Sequence, residues 1–476
     1  MAMQMRVLSS FSGIRQDRDD FISTPDSSPD ACNMQTRDGR LSVASGFSCV
    51  TPTAVATDVP LRQLYVYAHP AGVRFLVCTD TQLLTFNASA ARWDVLASFG
   101  AQVGAQQFDF LPIKIGTQDH LLIAYGREQI LKWNGTDAPT AFGSAEQLSD
   151  GEINFLEGYF GRLYAAGDPT APARLYWSQT PGDSRSIEDW SSDPASPDVS
   201  GGFADVGTDS DPITGLFALS NQLLIFKRDS LYRLLGDRPS NYRVLPVDAV
   251  FSSPRHTACV RYADRLYFLS KTGLCFFDGQ TVRRPESYRA LYRLLGGCDL
   301  DRCAAAACGD VLYFAVRENP ASAYNDLLIE YDVLRDTFMV RRGFQLAGIC
   351  SARGALYALT DAGRVVRFDD SNTYDGAPID AWWTTPRLDL GNKFHEKALG
   401  ELACSGSGDP MLVSVLTNGN RCDATLFFPD CPDAVSELAL RGEGRVFRLR
   451  FSNRDGGAFT LDTGVTLRLD TQMRPV

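Results

Sequence analysis

Histidine, helix signals and long apolar runs are all scarce in this sequence, and each shortage excludes something. Only four histidines stand in 476 residues: His69, His120, His256 and His395. Neither HExxH, HxH nor GxSxG occurs, so the common zinc-protease and serine-hydrolase signatures are missing. The longest apolar runs are strand-length, far below the roughly 20 residues of a membrane helix. The opening stretch MAMQMRVLSSFSGIRQDRDD has no apolar core of a signal peptide. The expectation is a chain made and kept in a cytoplasm, without membrane insertion. CxxC is absent too. Twelve cysteines are scattered, well under the ~8–10% of a disulfide scaffold. Cys298, Cys303 and Cys308 are spaced too loosely for a zinc knuckle, so they read as buried thiols, and no metal is expected. Cys422 and Cys431 flank a short segment and form a candidate disulfide. The balance of 46 basic against 57 acidic side chains, formally -11, argues against coating DNA by counterion release.

What is present is a repeated hairpin. In SKTGLCFFDGQTV, from Ser270, Gly273 breaks one apolar run, Leu274 to Phe277 resumes it, and Asp278-Gly279 ends it. A polar or small residue before Leu-Tyr and an apolar run recurs in GRLYAAG, DSLYRLLG, DRLYFLS, DVLYFAV and GALYALT. The partner run ends in an aromatic and a turn at Phe86, Trp133, Phe277, Tyr331 and Phe368. Val, Leu, Ile, Tyr and Phe crowd these runs, and Asn-Gly, Asp-Gly and Gly-Arg supply turn residues. A period of about 40–55 residues, built of about four strands, is the mark of a β-propeller. Near-continuous apolar strands agree, because neighbouring blades cover both faces. The one helix candidate is ESYRALYRLLGG, from Glu286 to Gly297, an insertion between strands.

The reading is all-β: a six- or seven-bladed propeller over residues 59–374, preceded by an extended N-terminal arm over 1–58 and followed by a β-sandwich over 375–476. The arm is rich in Ser, Asp, Pro and Gly and carries one strand, Leu41 to Ala44. In the last region, Phe447, Leu449 and Phe451 alternate with Arg448 and Arg450, which predicts a half-buried antiparallel sheet.

Six stretches in order carry a resemblance: SPDACNMQTRDGRLSVASGF in the arm, FKRDSLYRLLGDRPSNYRV, RLYFLSKTGLCFFDGQTV, LLIEYDVLRDTFMVRRG, ALYALTDAGRVVRFDD, and AWWTTPRLDLGNKFHEK. Together they resemble propeller-based bacteriophage virion proteins, the tail nozzle and head-completion stabilisation proteins. The arm pattern falls on Pro29, Asp30, Asn33, Gly39, Leu41 and Gly46. The resemblance implies a non-enzymatic structural role: identical subunits in a ring around a DNA channel, next to other tail, adaptor or portal proteins. It implies a virion location after assembly in a bacterial cytoplasm, transient passage of genomic DNA, and no cofactor.

Candidate assembly contacts are Asp17, Arg18, Asp19 and Asp20 in the arm, and the pairs Arg283-Arg284 and Arg341-Arg342. The plain alternative for each is solvated surface. Removing residues 1–50 is expected to weaken assembly more than folding. A rival class is a monomeric propeller that binds or hydrolyses a glycan with paired carboxylates. No Asp-box pattern supports it, since Ser270 to Gly273 and Thr360 to Gly363 read as plain turns. His256 reads as loop surface.

Overall fold

The computed structural model describes residues 3–19, 23–56, 59–99, 108–126, 129–143, 148, 152–182, 185–247, 254–390, 394–417, 419–431 and 434–470. The fold is all-β, and most of it is a succession of four-stranded antiparallel meanders. The first sheet runs Leu61–His69, Gly72–Thr79, Gln82–Asn87 and Arg92–Ser98. Five more sheets follow in chain order, opening with Asp109–Ile115, Phe155–Tyr159, Ile213–Leu219, Cys259–Tyr262 and Asp299–Cys308. A seventh has only three consecutive strands of its own, Leu346–Ala352, Ala355–Thr360 and Val365–Phe368. Phe47–Cys49 of the arm supplies the next strand, pairing antiparallel with Val365–Phe368. The first strands of all seven sheets line one cavity, which is the radial layout of a β-propeller.

The local chemistry explains the strands. Arg162–Ala166 and Gln222–Lys227 are buried at every position, as sheets covered on both faces require. Gly273 sits at φ +131°, and a Cβ there would lie 1.9 Å from the Tyr288 carbonyl oxygen, so no side chain fits that turn. Gly348 does a different job. A Cβ would meet the Leu64 backbone nitrogen at 2.9 Å, so glycine lets the innermost strands of the last and first sheets approach closely.

The helix candidate forms only over Tyr292–Gly297. Upstream, Ser287 donates its backbone N–H to Asp336 Oδ2 at 3.0 Å, and tight turns from Pro285 to Ala290 replace helix. A tertiary hydrogen bond therefore overrides the local periodicity.

The arm is not a free extension. Met3–Leu8 pairs with Val465–Asp470, Asp30–Cys32 with Trp382–Thr384, and Arg40–Val43 with Phe459–Leu461. Its side chains enter the main core: Leu8, Phe11, Ile14, Met34, Leu41 and Phe47 are all buried. Phe11 meets Trp383 edge-on at 5.7 Å. The single expected strand at Leu41 is one of five among the described residues of the arm. Alternation holds where it was read: Phe447, Leu449 and Phe451 are buried, while Arg450 lies over the Trp382 ring at 4.6 Å.

Asn33 fastens these parts together. It adopts φ +53°, a region that asparagine tolerates better than most residues. Its Nδ2 donates to the carbonyls of Arg342 at 3.0 Å and Asp380 at 2.7 Å. Its Oδ1 accepts from the Arg342 N–H at 2.9 Å and the Tyr374 hydroxyl at 3.0 Å. One buried side chain thus joins the arm, the sixth sheet and the C-terminal region.

Candidate functional site

The residues picked out for assembly separate into two groups. Asp17, Arg18, Asp19, Arg283 and Arg284 are exposed. Asp17 pairs with Arg15 at 3.4 Å, and Arg283 with Asp278 at 2.5 Å. Arg284 lies over Tyr288 at 5.2 Å. The Gln16 N–H donates to Ala290 O at 2.7 Å, which seats the acidic stretch of the arm beside the segment after Arg283-Arg284. Asp20 lies outside the described residues.

The other pair is a correction. Arg341 is buried, forms a 2.5 Å ion pair with Glu330, and donates Nη1 to the Ser45 carbonyl. Arg342 grips Glu318 with both Nε and Nη2, at 2.6 and 2.8 Å. The expectation of an exposed pair rests on exposure being the default for arginine. In the fold they tie the sixth sheet to the arm and to its own loop. Cys422 and Cys431 are exposed free thiols with no disulfide between them. Cys298 and Cys303 are buried, and burial pushes both thiols up to about 12. No group of three or more metal-ligating side chains gathers among the described residues. No helix among them is long and apolar enough to cross a membrane.

The densest chemistry lies in the cavity of about 950 Å³ at the convergence of the first strands. Arg62 clamps Asp80 with Nε at 2.5 Å and Nη2 at 2.7 Å. Arg317 pairs with Asp299, and Arg261 with Glu157. Glu157 is 3% exposed, and its burial pushes the carboxyl up to about 7 against the opposing pull of Arg261. Asp109 accepts from the N–H groups of Phe110 at 2.9 Å and Leu156 at 2.7 Å.

His256 is corrected from loop surface to cavity wall. Its ring stacks on Phe217 with centroids 4.6 Å apart, and Nδ1 lies 3.8 Å from Asp109. Tyr65 stacks on Phe110 at 4.3 Å, forming an aromatic wall. Arg302 differs from its neighbours. It has no carboxylate in ion-pair contact among the described residues, and its side chain donates one hydrogen bond, to Ala323 O at 3.0 Å. Burial and the like charges of Arg62 and Arg317 lower its hold on its proton.

Sequence reasoning missed these residues. Glu157 left a trace, a charge inside the apolar run FLEGYF. So did the Ala304–Ala307 run, small side chains where an innermost strand faces open space. Arg302 left none, because convergence on the axis is a tertiary property.

No family model and no curated protein matches the chain. Solved structures do. The computationally designed Ika8 protein is similar over 68% of this chain and 99% of its own, at 9% identity and a TM-score of 0.41. BamB from Moraxella catarrhalis is similar over 77% and 97%, at 12% identity and a TM-score of 0.37. A chain of the mitotic checkpoint complex is similar over 68% and 93%, at 9% identity and a TM-score of 0.42. Likeness at this level carries no inference about function.

Proposed function

We propose that this chain is a non-enzymatic structural subunit of a bacteriophage particle, a tail nozzle, head-to-tail or tail ring protein. In this reading it is a seven-bladed propeller joined to a C-terminal β-sandwich. Copies form a ring around the DNA channel beside adaptor, portal or other tail proteins. The virion is its location, reached by assembly in the host cytoplasm.

The carrying observation is the fit between motif order and architecture. The four central stretches that carry the resemblance to propeller-based virion proteins fall in turn on the fourth, fifth, sixth and seventh sheets. The arm stretch and the Trp383 stretch meet at a paired strand. The sandwich reading rests on two sheets that share a core. Trp383, Val413 and Phe451 come from one, and Leu402 and Leu467 from the other. Few free sheet edges make a rigid building block, and rings require heterologous contacts that close. Asp17, Arg18, Asp19, Arg283 and Arg284 are the exposed charges proposed for such contacts, with Asp17 and Arg283 exchanging their present partners Arg15 and Asp278 for a neighbour's groups.

Electron microscopy of the recombinant protein and of native particles, with a subunit count, tests this. A closed ring, or density at a neck or tail, is expected. A lone propeller that binds a glycan overturns the proposal. One observation favours that rival: Glu157, poised near neutrality, and Asp109 line the same cavity. In the glycosidase reading Glu157→Gln abolishes turnover; in the structural reading no turnover is found in either form.

A further inference from the structure

The cavity has more cationic side chains on its wall than carboxylates. Arg62, Arg255, Arg261, Arg302 and Arg317 face Asp109, Glu157 and Asp301. Two of the arginines draw on acids behind the wall, Asp80 and Asp299. Arg261 uses Glu157. Arg302 is half-buried, donates to one backbone carbonyl, and feels burial and the like charges of Arg62 and Arg317 more strongly than the opposing pull of Asp80. A desolvated cation costs stability unless something compensates it. With Asp80 and Asp299 included, five arginines meet five carboxylates, so the local feature is not a net charge but Arg302, which makes no ion pair with a carboxylate among the described residues.

The surroundings suit a ligand rather than a packed core. Ala304 to Ala307 leave one side of the cavity open, and the Tyr65–Phe110 stack offers an apolar face. The volume is that of a small-molecule site, and far too small for duplex DNA. A guanidinium presents a planar fork that matches carboxylate and phosphate oxygens, often with two parallel hydrogen bonds.

We propose that the cavity binds a small organic anion, seated through a carboxylate or phosphate group on Arg302, with its apolar part against Tyr65 and Phe110. This goes beyond the virion role and does not depend on it. The bound anion supplies the direct anionic contact that Arg302 lacks and cross-links the first, second and sixth sheets at the axis. Asp301, exposed on the same wall, opposes the ligand and sets a limit on affinity.

Calorimetric titration of the full chain with inorganic phosphate and with citrate tests this at low ionic strength. Saturable one-to-one binding of at least one probe is expected. Arg302→Gln should weaken it by about tenfold or more, the loss of a charge-assisted contact. Asp301→Asn should tighten it by a few-fold by removing a like charge. Stronger citrate binding points to carboxylate ligands, and stronger phosphate binding to phosphorylated ones. No saturable binding by either probe overturns the proposal. So does unchanged affinity in Arg302→Gln, if its melting curve matches the parent. Should that variant fail to fold, the sign of the Asp301→Asn effect decides, with unchanged or weaker binding counting against.

Discussion

The propeller sheets and the joined termini are both antiparallel β-structure, yet they are built in opposite ways. In the first six sheets each strand pairs with its neighbour in sequence, as Leu266 with Phe277 across a tight turn. In the terminal region partners come from opposite ends of the chain, as Leu8 with Val465. Local pairing asks little loop-closure entropy, whereas end-to-end pairing must close almost the whole chain. The lesson is that the arm completes two bodies at once. It supplies a strand to the seventh sheet and strands to the C-terminal sheets, so folding of either depends on it.

Removing residues 1–50 is the most damaging way to break that design. Six large apolar side chains leave the core, each worth about 1.5–3 kcal/mol. Their sum rivals the ~5–15 kcal/mol net stability of a typical domain. The truncated chain is expected to lose its cooperative melt by circular dichroism. This reverses the expectation that assembly suffers first; a folded, soluble truncation would restore it.

Asn33→Ala probes one point of the same junction. Four hydrogen bonds disappear, one of them to the buried Tyr374 hydroxyl and three to part-buried backbone groups of Arg342 and Asp380, for a loss of about 2–4 kcal/mol. Its propeller counterpart is Asn87, which bonds Asp94 at 2.8 Å near the surface. Asn87→Ala should cost about 1 kcal/mol or less. Equal losses in urea titrations would erase the contrast.

Glu330→Gln leaves Arg341 buried without its counter-charge, and about 3–5 kcal/mol of destabilisation is expected. The exposed Arg228–Asp229 pair, at 3.2 Å, should contribute below about 1 kcal/mol. Differential scanning calorimetry of Glu330→Gln and Asp229→Asn separates the two.

Glu157 gives the propeller a pH dependence. Its carboxyl is raised from 4.5 to about 7 in the folded state, so the folded protein holds the proton more tightly than the unfolded chain. The group's contribution is fully present below 4.5 and is lost as pH rises towards about 7. Glu157→Gln should flatten the stability profile across that window. A slope that survives the substitution would place its origin elsewhere.

The smallest effect belongs to Cys422 and Cys431. Serine at either position should change stability by under about 0.5 kcal/mol. Both thiols should label under native conditions, while buried Cys78 and Cys303 stay protected. A native Cys422–Cys431 cross-link in non-reducing peptide maps would contradict this.

Much of the propeller could be read from residues because its information is local. Leu-Tyr after a polar turn and an aromatic before Asp-Gly both act within one hairpin. Alternation at Phe447, Leu449 and Phe451 was readable for the same reason. Arg341 was misread because a charged pair in MVRRGF carries no mark of what will cover it. His256 was misread because a polar turn can point inward as well as outward. Composition and periodicity thus determined strands, turns, repeat and class, since those follow from side-chain period and backbone sterics. Only the tertiary structure decided which sheet the arm completes, that Asn33 joins three regions, and that Arg302 faces an open axis. Those outcomes depend on which distant strands meet, and burial and electrostatic pairing arise only once they have met.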